Sequence, residues 1–222
     1  MKNKKIFQVA IDSPAGSGAG TQAKLISKHY NFFYLDTGKL YRILGEYYLK
    51  NNKKINYSKF KKIISKTSFK DLKRKALLKN EIGLAASHLA KIKKIRSFVT
   101  TYQKRIAKNP PKKFNGVCLD GRDIAYNIMP DANIKFFMNA KVSIRAKRRL
   151  KELLSEGFNS TFKDTLNTIK KRDIYDYTRK IAPLKKTDDA ILIETSNLTI
   201  KQCFNKMKKY IDPKFKKYLN II

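Results

Sequence analysis

The sequence predicts an α/β protein with a five-stranded parallel sheet flanked by helices, and three observations carry that prediction. Five apolar runs of strand length, IFQVAID, FFYLDTG, GVCLDG, IKFFMNA and AILIETS, recur along the chain. Segments with helical spacing separate them, and each run ends in a polar residue or a turn. Near-continuous apolar runs suit strands covered on both faces, and intervening helices supply the crossovers that parallel pairing requires. Ligands of such sheets gather at the carboxyl ends of the strands. Those ends here carry Asp12, Asp36, Asp120, Asn139 and Glu194.

A length of 222 residues allows one main domain with a small inserted subdomain. Hydrophobic content of 42% and aromatic content of 11% mark a globular chain despite a formal net charge of +34. That charge would steer anionic substrates inward. The lysines are nonetheless spread through the chain and not gathered on one stripe with aromatic or arginine readers, so a nucleic-acid partner is disfavoured. The opening MKNKKIFQVAID turns from basic to apolar, but Asp12 interrupts it too early for a secretory core, and no run approaches the roughly 20 apolar residues of a membrane span. Cys118 and Cys203 stand far apart with neither metal nor disulfide spacing. The chain reads as cytoplasmic, with buried thiols and no membrane partner.

Taken in order, the first strand runs into IDSPAGSGAGTQAK and then a helix. Amide groups converge where a strand enters a helix through such a turn, and the positive end of the helix dipole faces them, which makes an anion cradle. Gly16, Gly18 and Gly20 give a permissive backbone, and Thr21 offers a hydroxyl to magnesium. The pattern G-x-x-x-x-G-K-[ST] fails at Ser13 and at Ala19, which take the glycine and lysine positions. Alone, the loop fits a phosphate cradle and a plain turn of small residues equally well.

The interval from Leu40 to Asn115 exceeds what one crossover helix needs. Its stretches NYSKFKKIISKTSFKDLKRKALLKN and IGLAASHLAKIKKIRSFVTTYQKRIAK predict a helical, substrate-binding insertion. After the fourth strand, KVSIRAKRRLKELLSEGFN and the segment to TRKIAPL predict a helix, a break at Gly157, a second helix and a proline-stopped end. DPKFKKYLNII is equally compatible with a frayed basic end and a docked helix. His29 and His88 lack partners at metal spacing and read as structural or surface residues, and the Phe and Tyr residues near Asn31 and Tyr47 read as packing.

With the loop, four further stretches occur in a recognisable order: YLDTGKLYR at 34–42, AASHLAKIKKIR at 85–96, LDGRDIAYNIMPDANIKFFMNA at 119–140 and KRDIYDYTRKIAPL at 171–184. In these motifs the chain resembles the bacterial cytidylate kinases of the P-loop nucleoside monophosphate kinase family, from about Phe7 to Tyr210. The resemblance implies a P-loop NTPase fold in a single domain, 1–222. Its core would comprise 1–42, 97–147 and 181–210, with an NMP-binding insertion at 43–96, a lid at 148–180 and a basic tail at 211–222. It further implies a monomer that transfers phosphate from ATP, with Mg2+, to CMP or dCMP.

Carried over residue by residue, the resemblance assigns ATP binding to Ser13, Pro14, Ala15, Gly16, Ser17, Gly18, Ala19, Gly20, Thr21 and Arg148, with Thr21 reaching the metal indirectly. Thr37, Arg42, Ser87, Arg96, Asp123 and Asp176 would hold the acceptor nucleotide, and Arg122, Arg172 and Arg179 would act on the migrating phosphoryl group. The residue chemistry agrees. Guanidinium forks match phosphate oxygens, and a carboxylate such as Asp176 or Asp123 accepts from the exocyclic amine that tells cytosine from uracil. Without the lineup of motifs, RDIYDYTR reads as an ordinary charged helix face, with pairs three and four residues apart.

Besides Ser13 and Ala19, the chain departs from the family pattern at Ala125 and Tyr126, where a glycine and a threonine are usual. The insertion is also short and lacks a β-rich portion. The missing ammonium would cost on the order of 3 kcal/mol of transition-state stabilisation unless another cation such as Lys24, Arg148 or Arg149 substitutes. Two other readings follow from these features: a nucleotide-binding relative with impaired turnover, and a basic nucleic-acid-binding protein on the same scaffold.

Overall fold

A computed structural model of the chain describes residues 6–220. The first five residues of the predicted core and the last two of the predicted tail lie outside them. The strands are β1 (Phe7–Asp12), β2 (Phe32–Asp36), β3 (Gly116–Gly121), β4 (Ile134–Asn139) and β5 (Ile191–Glu194), and the sheet order is β2-β3-β1-β4-β5. Each of the five expected apolar runs forms one of these strands. The first strand in sequence is central, parallel to β3 with Asp12 opposite Gly121 and parallel to β4 with Asp12 opposite Phe137. Valine, alanine and isoleucine fill β1 because it is covered on both faces: Val9, Ala10 and Ile11 are all fully buried.

The helices are α1 (Ala19–Tyr30), α2 (Thr37–Lys50), α3 (Tyr57–Lys66), α4 (Asn80–Leu89), α5 (Lys93–Lys108), α6 (Val142–Ser155), α7 (Phe162–Thr178) and α8 (Ile200–Leu219). Between residues 43 and 96 the described elements are helices and two short 3-10 turns, Asp71–Lys73 and Lys75–Leu78, so the insertion is helical. The break between α6 and α7 falls at Gly157, whose φ of 81° is left-handed and favours glycine. Asp36 caps α2 by accepting the Lys39 amide, and Thr199 and Gln202 form a capping box on α8.

The end of the chain is a docked helix. α8 continues through Pro213, and its Ile211, Phe215 and Tyr218 recur at helical spacing to form an apolar stripe. Phe7 meets Phe215 at 5.1 Å and Tyr218 at 5.3 Å between ring centroids and stacks on Phe32 at 5.5 Å. The aromatic residues around Asn31 are therefore packing residues, as is Tyr47, which lies edge-on to Phe60. His29 is exposed beside the Tyr30 and Phe204 rings, and His88 is exposed on Tyr48. Both thiols are buried. Among the described residues no helix is long and apolar enough to cross a membrane.

By compactness the chain divides into two units. Residues 1–35, 104–140 and 184–222 form the first, around the sheet, and residues 36–103 and 141–183 form the second, which is helical. In the second unit α2 crosses α4 at Gly45, where a Cβ would come 3.0 Å from both Ile82 O and Ala86 N. In the first, β3 begins at Gly116, where a Cβ would stand 2.5 Å from Phe7 O and 2.9 Å from the Phe32 ring. The substitution Gly116→Ala should therefore lower stability by about 1–3 kcal/mol, read as a lower urea midpoint at unchanged slope, because the obstacle is backbone that cannot rotate away.

Candidate active site

The strand order sets the site in the first unit. β1 ends between β3 and β4, and the chain leaves it through Ser13–Gly18 into α1. Gly16 and Gly18 hold φ of 79° and 92°, conformations that side chains with a Cβ resist, and the chain passes from them into the first turn of α1, whose opening amides have no partner within the helix. Ser13 is not among the described residues with positive φ, so its side chain is accommodated where the pattern has glycine. The loop is tied on several sides. Ser13 N donates to Gly121 O at 3.2 Å, Ser17 Oγ donates to Pro14 O at 2.9 Å, and Thr195 Oγ1 lies 3.1 Å from both Ser17 O and Asn139 O. Within it, Pro14, Ala15 and Ser17 are buried.

Ala19 opens α1 and is 5% exposed, its methyl group joining the core under the sheet. Thr21 is exposed on the next positions, as is Lys24. A Cβ on Gly20 would come 3.4 Å from Tyr34 Oη and 3.6 Å from Asp120 Oδ2, so the β3 carboxylate stands beside the first turn of α1. The oxygen donors of Thr21 and Asp120 suit a hard cation such as magnesium.

Past β3, residues Ile124–Ile128 make a π-helical turn. Asp12 crosses to it from β1: its two carboxylate oxygens accept Ile124 N and Ala125 N, each at 2.8 Å. Asp12 is 1% exposed, and burial pushes its pKa up to about 7 even though both amides pull it down. Arg122 donates to Gly121 O at 3.0 Å, and Asp123, buried, accepts Asn127 Nδ2 at 2.7 Å. Tyr126, one of the unusual residues here, lies under Lys185 Nζ at 4.7 Å.

The second unit gathers most of the remaining predicted residues. Arg42, half-buried on α2, donates to the carbonyls of Leu77 and of Lys79. Arg149 of α6 donates to Leu78 O and pairs with Glu152. Arg42 titrates well below the usual guanidinium range, first because burial penalises its charge and then because Arg172 and Arg149 crowd it, against the weaker pull of Asp36 and Glu152. Three guanidiniums thus share one neighbourhood. Arg172 stands on α7 and Arg148 on α6, both half-buried.

Arg96, on α5, is 4% exposed and donates to Ala90 O at 3.1 Å and Tyr41 Oη at 3.2 Å. Thr37 and Ser87 are buried at the start of α2 and the end of α4. Asp176 and Arg179 form a buried pair at 3.6 Å, and Arg179 Nε also donates to Ala182 O at 2.6 Å. The i,i+3 spacing in RDIYDYTR is therefore a real ion pair, but an interior one and not a solvated face.

Four participants were not singled out as site residues from the sequence. Arg149 was named only as a substitute cation, Asp12 and Asp120 only as strand ends, and Thr195 not at all. The signal for the two aspartates was their position: a carboxylate closing an otherwise apolar strand. Arg145, which holds Asp173 through two bonds of 3.0 and 2.7 Å, carried no signal beyond a basic helix.

A family model described as cytidylate kinase matches residues 9–213. The chain is 40% identical over 218 residues to the cytidylate kinase of Thermosipho melanesiensis, covering 94% of this chain and 98% of that protein. It is 39% identical over 217 residues to the cytidylate kinase of Fusobacterium nucleatum, covering 92% and 96%. Against that of Bartonella tribocorum it is 39% identical over 216 residues, covering 97% and 99%. A crystal structure of an uncharacterized protein from Eubacterium ventriosum matches 93% of this chain and 98% of its own with a TM-score of 0.54 at 18% identity, a likeness of fold. With a family match spanning nearly the whole chain and relatives of nearly equal length, this protein belongs to the cytidylate kinase family.

Proposed function

We propose that the protein phosphorylates CMP and dCMP with ATP. The observation that carries this reading is the convergence of Arg42 and Arg149 on the consecutive carbonyls of Leu77, Leu78 and Lys79, with Arg172 close enough to act on Arg42, because guanidiniums gathered at one place suit a phosphate dianion. Family membership supports it independently.

In this reading the amides of Ser13–Thr21 receive the ATP phosphates, and Arg148 on the lid contacts ATP from residues 148–180. Thr21 and Asp120 would hold magnesium, which when bound supplies neutralisation of phosphate charge. The insertion at 43–96 takes the acceptor: Thr37 and Arg42 hold its phosphate, and Ser87, Arg96, Asp123 and Asp176 hold its nucleoside. Arg42 and Arg96 then exchange the carbonyls that they grip in the free protein for ligand oxygens. Asp176, paired with Arg179, accepts from the cytosine amine, a donor that uracil lacks. Arg122, Arg172 and Arg179 neutralise charge on the migrating group. Phosphoryl transfer asks for positioning and charge neutralisation more than for covalent participation, so arginines suffice as the effective catalysts.

Ala19 leaves the loop without a side-chain ammonium of its own. Arg149, one of the cations that could take its place, is engaged by Leu78 and Glu152. The loop therefore binds phosphate through amides, and turnover is slower than a lysine-bearing loop would allow. The protein acts as a monomer.

Two outcomes follow. Purified protein with magnesium and ATP should form CDP and dCDP from CMP and dCMP faster than it phosphorylates UMP or AMP; equal rates on all four would contradict the assignment of Asp176. Ala19→Lys should raise kcat by roughly a hundredfold, corresponding to about 3 kcal/mol of transition-state stabilisation. It should also lower stability by about 0.3–1 kcal/mol, because a cation at the start of α1 opposes the helix dipole.

A further inference from the structure

We propose that Asp12 is a positioning residue of the kinase reaction, its carboxylate fixing the turn that bears Arg122 and Asp123 to the strand that carries the phosphate loop. The inference rests on the roles proposed for that loop and for Arg122.

The geometry is specific. Asp12 is the last residue of β1 and immediately precedes the loop. Its two oxygens take consecutive amides, Ile124 N and Ala125 N, both at 2.8 Å, at the entry to the π-helical turn. A second tie runs alongside, from Ser13 N to Gly121 O at 3.2 Å. Together they bracket Arg122 and Asp123, so these two residues cannot shift without breaking bonds to the loop strand. Only an ionised carboxylate has two good acceptors for two amides; asparagine offers one acceptor and sets a donor against the other amide.

Holding that charge works against folding. Burial raises the pKa of Asp12 from 3.8 to about 7, and the charged groups facing it are Asp123, which raises it further, and Arg122, which lowers it. The folded chain thus binds the proton more tightly than the unfolded one. The stability contributed by protonated Asp12 is complete below the unfolded value and is lost as pH rises through the folded one. The ionised form, by contrast, is the one that accepts both amides. Stability and turnover should therefore move in opposite directions across the same pH window, whereas a purely structural role would move them together.

The test compares the natural protein with Asp12→Asn from about pH 5.5 to 8.5. For the natural protein kcat should rise with a midpoint near 7 while the urea midpoint falls. In Asp12→Asn, kcat should be lower by about 10- to 100-fold, KM for CMP should rise because Asp123 loosens with Arg122, KM for ATP should change less, and this step should be missing. The titration of the substrate phosphate itself, near pH 6, remains in both proteins. In the natural protein the amide resonances of Ile124 and Ala125 should titrate together with the kinetic midpoint, a readout that stands even where the variant fails to fold. Turnover with a kcat indifferent to Asp12→Asn, or amides that do not titrate, overturns the role of Asp12 and leaves the kinase reading intact. No turnover of CMP by the natural protein overturns the kinase reading, and with it the part Asp12 plays in that reaction.

Discussion

The candidate site in the sheet unit depends on β1 being the middle strand. Flanked by β3 and β4, it is buried on both faces, and its carboxyl end opens between two neighbours whose own ends are polar. The loop that follows is consequently anchored to Gly121 at the end of β3 and to Thr195 beyond β5. Backbone geometry does the rest. Glycines at 16 and 18 take the left-handed conformation without the penalty a Cβ would bring, and the anchors fix the loop in it.

The helical unit follows a different logic. Its arginines come from α2, α6 and α7, and in the free protein they grip carbonyls or single carboxylates: Arg42 on Leu77 and Lys79, Arg149 on Leu78, Arg179 on Ala182. Glu152 beside Arg149 and Asp176 beside Arg179 offset part of this charge, but the first cause acting on Arg42 is burial, followed by Arg172 and Arg149. In the proposed reading a phosphate dianion would relieve the remainder.

Much of this was legible in the sequence, for reasons tied to particular residues. The five strands were visible because buried parallel strands are continuous apolar runs, and Gly157 was visible because a left-handed stop favours glycine. The loop, the arginines and their order along the chain were visible through motif resemblance. Contacts across long separations were not. Nothing in the spacing of Arg42, Arg149 and Arg172 says that they crowd one another, and nothing in IFQVAID says that Asp12 turns inward to two amides rather than out to solvent. The two amides at the start of the π-helical turn after Asp123 find their acceptor in that distant carboxylate, which no local spacing announces. The helix at the chain end stayed undecided because its docking surface, Phe7 with Tyr30 and Phe32, lies at the far end of the sequence.

The central claim is that phosphate is held by backbone amides in a loop whose lysine position is alanine. It is tested most directly by following the amide resonances of a labelled protein while magnesium and ATP are added. The account predicts saturable shifts centred on Gly16, Gly18, Ala19, Gly20 and Thr21, with inorganic triphosphate reproducing them. Saturable ATP binding that leaves those five amides unmoved would contradict it.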